Sequence, residues 1–219
     1  MIKSILNSSI CVLLLVLLGC SPDKGAFEIA LPKDEAIISR GKLLVHGIAA
    51  CGYCHGKQGR PGDLLVGGLP FEDRYGEVLA SNITPARSGL QGWKVNDVIS
   101  ALRSSKSKSG RDLSPDVHQG YEWMSDQDLL AIASYLLNIP GVENEVQIRE
   151  IGFIEKNTAS IFSASAKDVG GFVPAIRQKD QVAFGKYLTD HVARCGSCHS
   201  RPGNIFLDED YLGGGRSVN

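Results

Sequence analysis

Three things are scarce in this 219-residue sequence. There is no excess of charge: 23 Lys and Arg against 24 Asp and Glu give a net charge of −1. The chain therefore offers no field to gather nucleic acid or a strongly charged membrane surface. Long hydrophobic runs are missing too. The one apolar stretch, Ile10 to Leu18, is too short to cross a bilayer. Methionine is almost absent, with 2 in all, so Met124 is the only one that follows the start residue. Hydrophobic residues still make up 43%, enough for a core in one or two domains.

The N-terminus reads as an export signal. Lys3 supplies positive charge, the apolar run follows, and Leu17-Leu18-Gly19-Cys20 closes it. This ending resembles a bacterial lipobox, in which cleavage precedes the cysteine and lipid is attached to its thiol. On that reading residues 1–19 are a lipoprotein signal peptide, Cys20 is the lipidation site and 20–35 are a tether. The protein is then expected in the bacterial cell envelope, facing the periplasm from the inner or outer membrane. The plainer alternative is an ordinary signal peptide that happens to contain Cys20. Cys11 lies within the apolar run and leaves with the signal.

Four further cysteines form two CxxC pairs, Cys51/Cys54 and Cys195/Cys198. An exported CxxC fits a disulfide or redox pair, and two pairs fit a four-cysteine zinc site. The next residue separates these readings from a third. Both pairs continue into histidine, His55 and His199, giving C-x-x-C-H, the haem c attachment signature. Two thiols one helical turn apart reach the two vinyl groups of one haem edge, and the adjacent imidazole takes the iron from the proximal side. Disulfide and zinc sites have no need of that histidine. The motifs also sit in an internal repeat. Gly41-Lys42-Leu43-Leu44 precedes Cys51 as Gly185-Lys186-Tyr187-Leu188 precedes Cys195, the two copies being 144 positions apart.

The apolar spacing predicts a helix from Asp34, a plausible N-cap, to about Ala50, with Ile37, Ile38, Leu44 and Ile48 as its stripe. Gly41 inside it costs about 1 kcal/mol against alanine, which close packing on another helix would explain. Gly56 to Pro70 reads as loop, and Trp93 as the opening of a short helix to about Arg103. Arg103 to Arg111, with Lys106 and Lys108, reads as a solvated loop or as a docking patch for an acidic partner. Ser125 with Asp128 is a capping-box pattern before Leu129, Leu130, Ile132, Ala133, Leu136 and Leu137, and Pro140-Gly141 ends that helix. The expected fold class is all-α: a domain over 36–140 built around covalent haem, a linker over 141–176, and over 177–219 the start of a second, incomplete copy. Phe153, Phe162, Phe172 and Val173 suggest that the linker lies along the first domain.

The order CxxCH, Asn82-Ile83-Thr84-Pro85, Trp93, Ala101-Leu102-Arg103 and Met124-Ser125-Asp126 into Leu137-Asn138-Ile139-Pro140 resembles class I cytochrome c domains. It is most similar to those of the multi-haem cytochrome subunits of membrane-bound alcohol and gluconate dehydrogenases. The resemblance covers residues 36–140 well and 177–215 in part. It implies the cytochrome c fold and places Asn82, Thr84 and Trp93 near the haem edge and propionates, although Trp93 is equally suited to plain core packing.

The resemblance also implies a sixth iron ligand from a Met-Pro segment before the last helix. Here that stretch is Ser114-Pro115-Asp116-Val117-His118-Gln119-Gly120, without methionine. Met124 directly precedes the N-cap Ser125, where it should pack on Leu129. His118 stands about where the ligand belongs, so His55/His118 coordination is the preferred reading, with Met124 and a vacant site as alternatives. An axial methionine raises the potential relative to a second histidine. His46 and His191 read as exposed or packing residues.

The second copy has 20 residues after His199, with no second Asn-Ile-Thr-Pro, tryptophan helix or closing helix, and ends near Gly213-Gly214-Gly215, similar to Gly67-Gly68. A fragment or truncation is the expected explanation, and a second haem on Cys195, Cys198 and His199 follows only for a complete domain. The function expected from all this is electron transfer rather than catalysis. The partners would be a dehydrogenase, a quinol oxidoreductase or another cytochrome, with the membrane reached through the N-terminal lipid and no nucleic acid involved. Two rivals are a haem enzyme with an open iron position, either a peroxidase or a sulfur-compound dehydrogenase, and a gas-sensing module.

Overall fold

The computed structural model describes residues 28–73, 75–114, 118, 120–149, 169–200 and 210–214. The signal and Cys20, most of the linker with Phe153 and Phe162, and Gly215 lie outside the described residues. So do residues 115–117 and 119 on either side of His118.

Helix α1 (Glu35–Leu43) starts where Asp34 accepts hydrogen bonds from the Ala36 and Ile37 amides. It does not run on as a uniform helix to Ala50. Leu44–Ile48 forms a π-helical turn, closed by the Ala49 amide on the Leu44 carbonyl at 2.9 Å. The wider turn rotates the chain, and Ala50 follows at φ 48, so that the motif helix α2 (Gly52–His55) can begin beside Val45, whose carbonyl takes the Cys51 amide. Such π-turns tend to be kept where they aim a functional segment.

The loop after α2 holds the one departure from an all-α fold among the described residues. β1 (Pro70–Asp73) pairs antiparallel with β2 (Gly76–Leu79), Pro70 opposite Leu79 and Asp73 opposite Gly76. Four-residue strands carry little period-2 signal, and these follow directly on a glycine-rich loop. Asp73 is then clamped by Arg149, which bonds both its carboxylate oxygens, at 2.9 and 2.6 Å.

Helix α3 (Val95–Arg103) begins two residues after Trp93, with the Asp97 carboxylate accepting the Lys94 amide. The basic stretch behind it is a folded turn: Lys106 is paired with Asp112, and Lys108 bonds the Gly92 carbonyl. Its lysines are engaged at home, which favours the solvated loop over a docking patch. Helix α4 (Asp126–Asn138) is capped by Ser125, whose hydroxyl accepts from the Asp128 amide. The reciprocal half of the expected capping box is not made. Asp128 instead bonds Arg40, and the Ser125 amide donates to the Tyr187 hydroxyl.

Helices α1 and α3 both pack on α4. The core between them holds Leu44, Val45, Val95, Val98, Met124, Leu129, Ile132 and Leu136, all buried. Burying each large apolar side chain contributes about 1.5–3 kcal/mol. The α1–α4 contact is close because Gly41 has no side chain: a Cβ there would stand 2.0 Å from the Ala131 carbonyl oxygen.

The elements recur at the 144-residue offset. Helix α5 (Gln181–Tyr187), a π-helical turn at Leu188–Val192 and motif helix α6 (Gly196–His199) match α1, its π-turn and α2. Arg194 repeats the left-handed backbone of Ala50, with φ 56. This second segment packs on the first domain. Tyr187 and Val192 join the same core, and Phe184 and Leu188 lean on it. The chain leading to it is tied down through the Val173 carbonyl, which accepts the Asp126 amide, while Phe172 is 70% exposed and so adds little.

Candidate haem site

Helix α2 carries Cys51, Cys54 and His55 on a single turn, its amides closed back on the Cys51 carbonyl. The carbonyl of Ser81 meets His55 Nδ1 at 2.7 Å. A carbonyl only accepts, so Nδ1 carries the proton and Nε2 is left as a free donor to a metal. Burial lowers the His55 pKa, partly countered by this bond, which keeps the imidazole neutral at physiological pH.

Ser81 was not legible as a site residue, because it acts through its backbone. What holds it is the segment that follows. Asn82 and Thr84 are each 2% exposed. Asn82 Nδ2 donates to the Ser88 hydroxyl and the Val142 carbonyl, and its Oδ1 accepts the Thr84 amide and hydroxyl. The Val142 amide in turn donates to Thr84 Oγ1. These polar atoms are thus engaged in lashing the loop to the chain beyond α4. Trp93 is half-buried against the core, as its packing alternative has it.

His118 is brought to His55. The two ring centres are 6.2 Å apart and their planes are inclined by 35°. Two metal–imidazole bonds of ~2 Å each, plus the halves of the two rings, fit that separation. The His118 pKa is pushed down to about 3, by burial first and then by His55 and Arg194, and its buried Nδ1 has no hydrogen-bond partner among the described residues. A neutral imidazole is the form in which histidine can bind a metal. Met124 differs. It is fully buried in the core, and its carbonyl is held by Arg103, which also bonds the Glu122 carbonyl and Asp126.

The surroundings of the thiols do not favour the thiolate that a redox pair uses. Burial, with a contribution from Cys54, pushes Cys51 up to about 12, and burial raises Cys54 as well. A reactive dithiol needs the opposite shift, towards thiolate. All four described cysteines are free of disulfides. Nor do the two pairs converge on a zinc site: among the described residues no group of three or more His, Cys, Asp or Glu side chains is placed to hold a metal ion. These residues fit a porphyrin that brings its own nitrogens.

The second motif repeats the first in its backbone. The His199 amide bonds the Cys195 carbonyl, and the Gly214 amide bonds the His199 carbonyl at 2.7 Å, as the Gly67 amide does for His55 at 2.8 Å. Tyr211 lies against Gly196. His46 bonds the Tyr135 hydroxyl at 2.7 Å, a packing role. His191 lies against the Tyr187 ring.

No family model matches the chain. Among curated proteins it is 29% identical over 187 residues to the cytochrome c subunit of gluconate 2-dehydrogenase from Pantoea cypripedii, across 82% of this chain and 41% of that protein. It is 30% identical over 177 residues to the fructose dehydrogenase cytochrome subunit of Gluconobacter japonicus, across 78% and 36%. It is 26% identical over 177 residues to the cytochrome c subunit of the quinone-type alcohol dehydrogenase of Gluconobacter oxydans, across 78% and 36%. The chain therefore spans about two fifths of the length of these relatives. No described helix is long and apolar enough to cross a membrane. The chain is a homologue of the cytochrome c subunits of bacterial sugar-acid, sugar and alcohol dehydrogenases.

Proposed function

We propose that this protein is a membrane-anchored electron carrier that holds haem c at Cys51, Cys54 and His55, with His118 as the second axial ligand. The observation that carries this reading is the placement of the His118 ring opposite His55, at 6.2 Å. Haem, when bound, supplies a one-electron ferrous/ferric couple. The chain's own residues tether, orient and enclose it. The two cysteines fix the edge, and the Ser81 carbonyl sets the His55 tautomer. Asn82 and Thr84 act as positioning residues by fixing the loop that carries Ser81. Trp93 packs against the core.

Held by both imidazoles, the iron of a bound haem would have no open position, which favours a carrier over a peroxidase or a gas sensor. The two imidazoles also favour a lower potential than a methionine-ligated haem. The relatives, cytochrome subunits of dehydrogenases, support a dehydrogenase as electron donor; the acceptor in this reading is another cytochrome or an oxidase. Cys195, Cys198 and His199 form the second attachment site, opening a second cytochrome c-like domain over 177–219 after a 141–176 linker. Cys20 as the lipid anchor puts the protein on the periplasmic side of the cell envelope.

The test is low-temperature EPR with near-infrared spectroscopy on the haem-loaded full chain. The oxidised wild type should show low-spin, bis-imidazole iron at the first motif. His118→Ala should convert it to a high-spin or water-ligated species, and Met124→Leu should leave it unchanged. A sulfur-to-iron charge-transfer band lost only in Met124→Leu would overturn the His118 assignment.

A further inference from the structure

The second motif's segment lays one cationic side chain against Gly120 and Tyr121, beside the proposed first haem site. Arg194 immediately precedes Cys195 and takes the left-handed conformation, φ 56, that Ala50 takes before Cys51. In the first copy this position carries only a methyl group. In the second it carries a guanidinium that reaches the neighbouring domain. Its Cζ lies 4.5 Å from the centre of the Tyr121 ring. Its stem fills the space above Gly120, where an added Cβ would come within 3.0 Å of Arg194 Nε. Gly120 itself has φ 109, so a side chain there is excluded twice. Gly120 and Tyr121 are the residues that directly follow the His118 turn.

The approach is rigid. Val192, two positions before Arg194, is fully buried in the first domain's core. The Tyr187 hydroxyl donates to Asp128 at 2.7 Å and accepts from the Ser125 amide at 3.1 Å. The guanidinium is thereby held over Tyr121, three positions after His118.

We propose that Arg194, carried by the second motif's segment and stacked on Tyr121, is the charge that sets the reduction potential of the first haem. This rests on the assignment of haem to Cys51, Cys54 and His55. The physical reason is simple. Ferric haem carries one more positive charge than ferrous haem. A fixed cation in a water-poor site disfavours the ferric state and raises the potential. Bis-imidazole ligation lowers it, and Arg194 offsets part of that fall. Two levers of opposite sign then act on one iron, one from each copy of the repeat. Because arginine stays protonated throughout the accessible pH range, the second lever is constant.

The experiment is a spectroelectrochemical titration of the haem-loaded full chain. The first haem's component is identified as the one missing from Cys51→Ala/Cys54→Ala. Arg194→Gln should shift that component's reduction equilibrium about tenfold towards ferric, a downward move of about 59 mV for one electron. Arg194→Lys, which keeps the charge but not the planar stack, should recover at least half of it. An unchanged potential in Arg194→Gln with an intact haem spectrum would overturn the proposal, as would equal shifts in the Gln and Lys variants, which would mean a packing role. Absence of any haem component lost in Cys51→Ala/Cys54→Ala would instead sink the haem assignment on which it rests.

Discussion

The two copies of the repeat use opposite faces of the same helix. In the first copy Gly41, Leu44 and Val45 face inward and are buried, while Leu43 is 59% and Ile48 37% exposed. In the second, Tyr187 and Val192, at the positions of Leu43 and Ile48, are 6% and 0% exposed, and Gly185 itself is exposed. A first copy folded around its own core has become the platform on which the second docks by its back. The same sequence pattern therefore holds a domain together in one place and joins two segments in the other. Glycine is the sharpest way to break this comparison. Gly41→Ala drives a methyl group into the Ala131 carbonyl and should destabilise the chain by about 3 kcal/mol. Gly185→Ala meets nothing within 4 Å among the described residues and should stabilise helix α5 by roughly 0.5–1 kcal/mol. Denaturant midpoints of the two variants should move in opposite directions. A loss at Gly185 as large as at Gly41 would mean that the second face is packed after all.

The docking face itself gives a smaller effect. Tyr187 ends a buried polar chain in which Arg40 bonds Asp128 at 2.6 Å and Asp128 accepts the tyrosine hydroxyl. Burial, as the first cause, pushes the Tyr187 hydroxyl up to about 12, so it stays a donor under all working conditions. Tyr187→Phe strands the Ser125 amide and one Asp128 oxygen and should cost about 1–2 kcal/mol. Leu43→Ser, at the same place in the first copy but open to solvent, should be near neutral. Equal losses in the two variants, read by thermal or denaturant unfolding, would erase the distinction between docked and free copies.

What could be read from the sequence follows the range of the interaction. The attachment motifs, the Asp34 and Ser125 caps, the role of Gly41 and the unsuitability of Met124 all rest on contacts within a turn or on side-chain identity. The two caps and the close packing at Gly41 stand in the structure as expected, the first motif lies on one helical turn, Met124 is buried in the core, and the His118 ring faces His55. Other features were hidden for separate physical reasons. Ser81 contributes only a carbonyl, which any residue possesses. Arg194 reads as an ordinary charge beside a motif until the second segment is docked, 74 positions away from Gly120. The β1–β2 hairpin is too short to show a period, and the π-turns widen a helix without changing its apolar pattern. Asp128 looked like a capping-box acid because local spacing could not know that Arg40 and Tyr187 would claim its carboxylate.

The smallest contrast lies at His46 and its counterpart 144 positions on, Asp190. Burial, and then Lys42, lowers the His46 pKa below its usual 6.5, and one ring nitrogen is spent on Tyr135. The unfolded chain therefore takes up a proton as pH falls through about 6.5 before the folded chain does. The stability due to a neutral His46 is complete above that value and is lost progressively below it. Burial would raise the Asp190 pKa, but hydrogen bonds from Lys186 and Tyr211 more than offset it and hold the carboxyl below 3.8. Its contribution survives until far more acid conditions. Between about pH 8 and about pH 5 the wild type should then lose more stability than His46→Gln, whereas Asp190→Asn should lower stability by a similar amount at both. Denaturant midpoints at the two pH values decide it. A wild type and His46→Gln with parallel pH profiles would show that the first copy's histidine is as indifferent to mild acid as the second copy's aspartate.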